Sequence, residues 1–358
     1  MDSHYKMMRA TVGVAITRAV SDIETDTKRA VRNLVDLGTQ FASGENQKKF
    51  FVLANDVLAN PQNPYNKMVL ELTRNVDKKI IKTVGTNLGF SSLIYGVKQI
   101  REELKQNECN IPWLIIFQIK PGDPDALITG EIESLIEQGR KLGIFSYVFT
   151  LSGKEKTQAD TALLLAEKYY DCFFLLTVRP EIVDEHFAKR VREVENVAVS
   201  VRTKVNPQIG TPSRECQEAF STLHSQRCMF GFHTLYSREN VEMATSVSWL
   251  EQMIACHCLF GGYVLKNEED EELAESVHKF CCEIRGGNGK TILAFEWEQD
   301  TKFISGLIAP RTGILRLDSL GKILWKEKDM GSARGKTLKE ILHALTPPGF
   351  SDPETAGA

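Results

Sequence analysis

The sequence predicts an α/β protein: six β–α units in series forming a parallel sheet, curled as a partial barrel or left open. A helical region precedes the sheet and a small β-rich extension comes after it. Three observations lead there. The apolar run Trp113–Phe117, with Ile119 beyond it, is ended by Pro121 and Gly122, as expected of a fully buried parallel strand. From Trp113 onward, short β-rich runs alternate with amphipathic helical stretches, the pattern of a parallel sheet. After Gly289 the rhythm becomes that of antiparallel strands and turns.

Before the sheet, Val12, Ile16, Val20 and Ile23, then Val31, Leu34 and Val35, recur at helical spacing, predicting a helix over about 7–41. Gly44 ends it, and a helix over 46–59 carries Phe50, Phe51, Leu53 and Leu58 on one side. Pro61 and Pro64 separate this from a helix over 65–82, and Gly85 precedes another over 88–106. These stops have a physical basis: proline lacks the helix donor and glycine opens a left-handed turn. Such a bundle either packs on the sheet or serves as a partner-binding module.

The expected strands are 113–119, 144–150, 172–178, 197–201, 229–235 and 259–265. The helices between and after them are 131–142, 160–170, 181–192, 213–225, 239–255 and 269–285. Four antiparallel-type strands come next, over 291–297, 303–308, 313–317 and 322–325, with a turn at Asp318–Gly321. A short helix over 336–345 ends the ordered chain, and Pro347-Pro348 begins a polar tail expected to be disordered. The implied domains are 1–108 (helical), 109–288 (β/α), 289–346 (β extension and short helix) and 347–358 (flexible tail).

Composition excludes several classes. A chain of 358 residues, 42% hydrophobic and 25% charged, is globular in character. A net charge of −3 opposes bulk nucleic-acid binding. No apolar run reaches membrane-spanning length, and Arg9 and Arg18 bracket a run too short for a signal-peptide core. The eight cysteines include no C-x-x-C pair, which points to free thiols in a reducing, cytoplasmic compartment.

Several stretches carry a family resemblance: 110–116, 128–150, 182–188 and Phe230–Asn240 (FGFHTLYSREN), with 306–321 as a matching tail segment. In order and spacing they resemble radical SAM proteins with a helical N-terminal region and a SPASM-like C-terminal extension. The resemblance covers roughly 25–345. It implies a partial (β/α)6 TIM-type barrel, and it would imply a four-iron four-sulfur cluster had the ligands come too. The family holds that cluster with C-x-x-x-C-x-x-C after the first strand, three thiolates leaving one iron open for S-adenosylmethionine. Here that loop, 120–125, reads KPGDPD. The Gly-Gly-Glu-Pro that meets the methionine amino group is replaced by 151–154, LSGK. An Asn-Gly pair after the third strand is Val178-Arg179. An acidic residue after the fourth is lost within 201–204, VRTK, and the extension's cysteine positions carry Leu307 and Leu324-Trp325. Five separate losses point to a degenerate member without cluster, cofactor or S-adenosylmethionine cleavage.

The remaining chemistry is sparse. Cys256-His257-Cys258 with Cys281-Cys282 lacks the paired-turn spacing of a zinc site, so buried structural thiols are the simpler reading and no metal is expected. His233 stands near the end of the fifth strand, as a general base or as a hydrogen-bonded wall residue. Gly286–Thr291 lacks full phosphate-loop spacing and reads as a helix stop, and no nucleophile elbow occurs. The positive signal is a set of cations at the strands' C-terminal ends: Lys120, Lys154, Arg179, Arg202, Lys204, Arg238 and Lys266. Together with His233 and Tyr236 they make a candidate ligand-binding mouth for a nucleotide, a phosphorylated metabolite or an acidic peptide. The competing account is solvated rim charges paired with Asp123, Glu155 or Glu181. The expected function is a non-catalytic protein binding a small anion, a peptide or an active radical SAM relative. The alternative is an enzyme with replaced chemistry using His233, Tyr236, Glu155 and Lys154.

Overall fold

The computed structural model describes residues 3–41, 52, 64–107, 109–121, 123–204, 210–286, 289–308, 314–325 and 328–346. Helix α1 (Ser3–Phe41) lies against a rod built from α3 (Lys78–Val84), a π-helical segment (Gly85–Gly96) and α4 (Val97–Asn107). Helix α2 (Pro64–Asn75) also packs on α1. The spacing that predicts α1 is apolar burial on one stripe: Val12, Val20 and Ile23 are all in the core. The helix expected over 46–59 lies outside the described residues, as does the tail 347–358.

The rod docks on the sheet through polar contacts that satisfy buried groups. Asn87 donates to the carbonyls of Tyr170 and Cys172 at 2.8 and 2.7 Å, and the Ser92 and Ser146 hydroxyls meet at 2.7 Å. A Cβ on Gly96 would sit 2.3 Å from the Gly143 carbonyl oxygen, so the two backbones approach as only glycine allows.

The sheet has the predicted β–α alternation. Its first six strands are β1 (Leu114–Gln118), β2 (Ser146–Thr150), β3 (Phe173–Val178), β4 (Val197–Thr203), β5 (Phe230–Tyr236) and β6 (Phe260–Leu265). Between them run α5 (Thr129–Lys141), α6 (Lys156–Lys168), α7 (Glu185–Val194), α8 (Arg214–Ser225), then α9 (Val241–Ala244) and α10 (Val247–Ala255); α11 (Leu273–Gly286) comes after β6. Each strand pairs in parallel with the next. Asp184 caps α7 by accepting from the Phe187 amide at 2.8 Å, which starts that helix later than its apolar spacing suggests.

The segment after Gly289 departs from expectation. Strand β7 (Leu293–Glu296) is parallel to β6 and extends the barrel sheet beyond the expected boundary at 288. Residues 303–308, expected as a strand, are the end of helix α12 (Trp297–Ile308). The reason is tertiary. Helix α12 touches β6 and β7, receives the Trp113 indole on Ser305 at 3.2 Å, and offers the Ile308 carbonyl to Arg101 at 2.9 Å. It bridges the two ends of the parallel array, where apolar residues such as Phe303 and Ile304 read locally as strand. Strand β8 (Leu315–Leu317) then joins the other edge, parallel to β1, and β9 (Lys322–Trp325) and β10 (Lys328–Ser332) complete an antiparallel extension. The order is β10-β9-β8-β1-β2-β3-β4-β5-β6-β7. The predicted turn is present: the Gly321 amide donates to the Asp318 carbonyl at 3.0 Å, with Gly321 at φ +80°. Helix α13 (Leu338–Ala344) packs back on α5.

The two faces of the sheet differ. Ile115, Phe117, Tyr147, Phe149, Phe174, Val199 and Phe232 are fully buried beneath the helices. Tyr147, for example, donates to the Ile136 carbonyl of α5, and Phe232 meets Trp249 of α10 edge-on. On the alternate, concave face Ile116, Leu175, Leu235 and Phe295 are only half-buried. No described helix is long and apolar enough to cross a membrane.

Candidate functional site

The concave face carries its chemistry at the C-terminal ends of β3, β4 and β5. Strand alternation places Ser200 and Arg202 of β4 on this face, and parallel register sets Arg202 beside His233 of β5. The Ser200 hydroxyl and His233 Nδ1 are 3.0 Å apart. Burial, and then the Arg202 charge, push the His233 imidazole down to about 4, so the ring is neutral at physiological pH. Burial, and then the neighbouring Arg179, also lower the Arg202 pKa. Among the described residues Arg202 makes no ion pair. The Glu181 charge partly offsets this from beyond ion-pair distance, so the mouth holds a half-buried cation without a direct ion pair next to a neutral imidazole.

The other expected residues divide differently. Arg179 Nε donates to the Ser152 carbonyl at 2.8 Å, which keeps its guanidinium near Arg202. Lys120 pairs with Asp123 at 2.8 Å and Lys154 with Glu181 at 3.0 Å. Arg238 pairs with Glu272 and, at 3.3 Å, with Asp270; Lys266 lies 3.8 Å from Glu239. These are rim charges with partners, each contributing little to stability at the surface. Lys204 is exposed at the end of β4. Tyr236 is turned away: it is fully buried on the helix-facing side and donates to Glu296 Oε1 at 2.8 Å. Its place in the mouth, expected from its position at a strand end, is thereby corrected, because strand parity puts it on the same face as Phe232. Glu155 accepts from Gln158 at 3.1 Å. The four residues of the replaced-chemistry reading thus do not converge on one point.

Sequence reasoning missed Ser200, Thr177 and Thr150 on the concave face. Their signal was period-two alternation within strands read as uniformly buried.

The loop after β1 is where the family resemblance would place a cluster, and its donors do not suit one. It offers the oxygens of Asp123 and Asp125 and no sulfur. It is also occupied by its own packing: the Leu127 amide donates to the Ser319 carbonyl at 2.7 Å, Arg334 donates to the Asp125 carbonyl, and Leu127 rests on Gly321. The chain's thiols are elsewhere. Cys109, Cys172, Cys228 and Cys258 precede β1, β3, β5 and β6, at the opposite end of the sheet, with Cys256 nearby. Cys216, Cys281 and Cys282 lie on helices. No group of three or more His, Cys, Asp or Glu among the described residues is placed to hold a metal ion. His257 instead stacks on His224 with centroids 3.9 Å apart.

No family model matches the chain, and no curated protein matches it. Solved structures do. Streptococcus suis SuiB bound to S-adenosylmethionine superposes with a TM-score of 0.50 at 10% identity, covering 72% of this chain and 69% of that one. SuiB bound to its precursor peptide SuiA gives 0.48 at 9% identity, covering 74% and 70%. At such identity the likeness speaks to the fold alone, and the chain therefore has the partial-barrel fold of SuiB.

Proposed function

We propose that this protein is a radical-SAM-like binding protein that neither assembles the iron–sulfur cluster nor cleaves S-adenosylmethionine. Its concave face would take an anionic group carried on an apolar body. The observation that carries the reading is Arg202: half-buried, without a direct ion pair among the described residues, and on the face that also carries half-buried apolar side chains. A structural arginine at this depth would be paired, since an uncompensated charge out of water is costly. A guanidinium fork held open suits a carboxylate, phosphate or sulfonate, and Ile116, Leu175 and Phe295 supply walls for the ligand's body. Loss of thiols in the β1 loop removes the family's chemistry while the barrel core is kept. S-Adenosylmethionine carries a carboxylate but also a sulfonium and an ammonium, so its net positive charge makes it a poorer ligand for Arg179 and Arg202 than a simple anion. A peptide's acidic group, an acidic segment of an active radical SAM relative and a small anion share the recognised chemistry.

Calorimetric titration tests this. Benzenesulfonate should bind and lose at least about tenfold in affinity in Arg202→Met, as expected when a charge-assisted hydrogen bond is removed. Tighter binding of S-adenosylmethionine than of benzenesulfonate, or unchanged binding in the variant, would overturn the assignment.

A further inference from the structure

Away from the mouth, four side chains meet where α11 packs on α12. Cys282 is exposed. Its sulfur accepts from Arg285 Nη2 at 3.2 Å and lies 3.5 Å from His278 Nε2, one turn earlier on the same helix. Asp300 of α12 fixes the group. It accepts both Arg285 terminal nitrogens at 2.8 and 2.9 Å and stands 3.6 Å from His278 Nδ1. That nitrogen is buried and has no hydrogen-bond partner. Arginine can only donate, so the imidazole can take the thiol proton at Nε2 in the tautomer that carries its hydrogen on Nδ1, on the side of Asp300. Arg285 is further held by the Ala294 carbonyl at 2.7 Å. Tyr65, from α2, and the buried Cys281 also interact electrostatically with the thiol.

The other seven cysteines contrast with this one. Six are buried, Cys256 is half-buried, and burial raises the pKa of all seven, with Cys228 pushed up to about 12. Cys282 alone is exposed; the Cys172 sulfur also meets a guanidinium, that of Arg140, but it is fully buried.

We propose that Cys282 is a nucleophilic thiol, a site of capture for a low-molecular-weight disulfide, with His278 as its base and Arg285 holding the thiolate. The Cys282 proton passes to His278 Nε2. The thiolate then attacks one sulfur of the disulfide, the S–S bond breaks, and the departing thiolate takes the proton from His278 and leaves as a thiol. Cys282 is oxidised to a mixed disulfide and the incoming disulfide is reduced, so no further oxidant is needed.

The test uses the full chain with oxidised glutathione at neutral pH, read by intact mass and peptide mapping. A single adduct should form at Cys282, at least about tenfold faster than at the same residue in the urea-unfolded chain. His278→Gln should slow it by about tenfold or more. Arg285→Lys, which keeps the charge, should retain more of the rate than Arg285→Gln. Modification first at Cys256, no adduct, or a folded His278→Gln that reacts at the wild-type rate would each overturn the proposal. If His278→Gln does not fold, a native rate no faster than that of the unfolded chain does so alone.

Discussion

Replacing Arg202 by methionine should separate binding from stability. The guanidinium is half-buried, has no direct ion pair among the described residues, and feels the like charge of Arg179 more than the opposite charge of Glu181. Methionine keeps the aliphatic reach and removes the charge, so the free protein should gain about 0.5–1 kcal/mol, a value discounted for partial solvent screening. For a chain of this size that is roughly 1–2 °C in melting temperature. Binding moves the other way. A ligand such as benzenesulfonate, with about ten non-hydrogen atoms at ~0.4 kcal/mol each, binds in roughly the millimolar range. Losing a charge-assisted hydrogen bond worth about 1.5–3 kcal/mol weakens it roughly ten- to a hundredfold. Scanning fluorimetry and calorimetry on wild type, Arg202→Met and Arg202→Lys read both quantities. A methionine variant that melts several degrees lower and binds as before would show Arg202 to be a structural residue, and the reasoning would fail.

The geometry sets three further outcomes. Tyr236→Phe should cost about 1.5–3 kcal/mol in urea unfolding, because it strips a donor from the fully buried Glu296. Burial raises the Glu296 pKa from its ordinary 4.5 while the Tyr236 hydroxyl lowers it, so the carboxyl binds more protons folded than unfolded above pH 4.5, and its contribution declines as pH rises. The cost of Tyr236→Phe should accordingly be larger at pH 7 than at pH 4.5; a cost independent of pH would refute this. The affinity for benzenesulfonate should be flat between about pH 5.5 and 8, because His233 is neutral throughout with its pKa near 4. A rise in affinity centred near the free-imidazole value would show that ring protonating. Gly96→Ala should destabilise the protein by about 3 kcal/mol or more, since its Cβ would meet the Gly143 carbonyl oxygen at 2.3 Å; near-normal thermal unfolding would contradict the docking of the π-helical segment.

The parallel array was legible because each strand is a compact apolar run bounded by glycine, proline or a cap, and the observed strands β1 to β6 fall on those runs. Helix α12 was not. Phe303 and Ile304 satisfy strand propensity locally, and what makes them helical is the gap between the two ends of the sheet, a tertiary fact. The mouth was half legible. Arg202 and His233 share a face because of register, which two correctly placed strands supply. Tyr236 went astray by parity alone, since one step along β5 reverses the face. Nor can sequence distinguish a directly paired cation from one without a direct pair: Lys154 and Arg202 look alike until Glu181 is seen 3.0 Å from the first and acting on the second only from beyond ion-pair distance.

The proposed exchange of cluster chemistry for binding has a direct test. Anaerobic incubation of the full chain with iron and sulfide, then with S-adenosylmethionine and a strong reductant, addresses it directly. The account predicts no cluster absorbance and no 5′-deoxyadenosine. A brown protein that yields 5′-deoxyadenosine on reduction would contradict it.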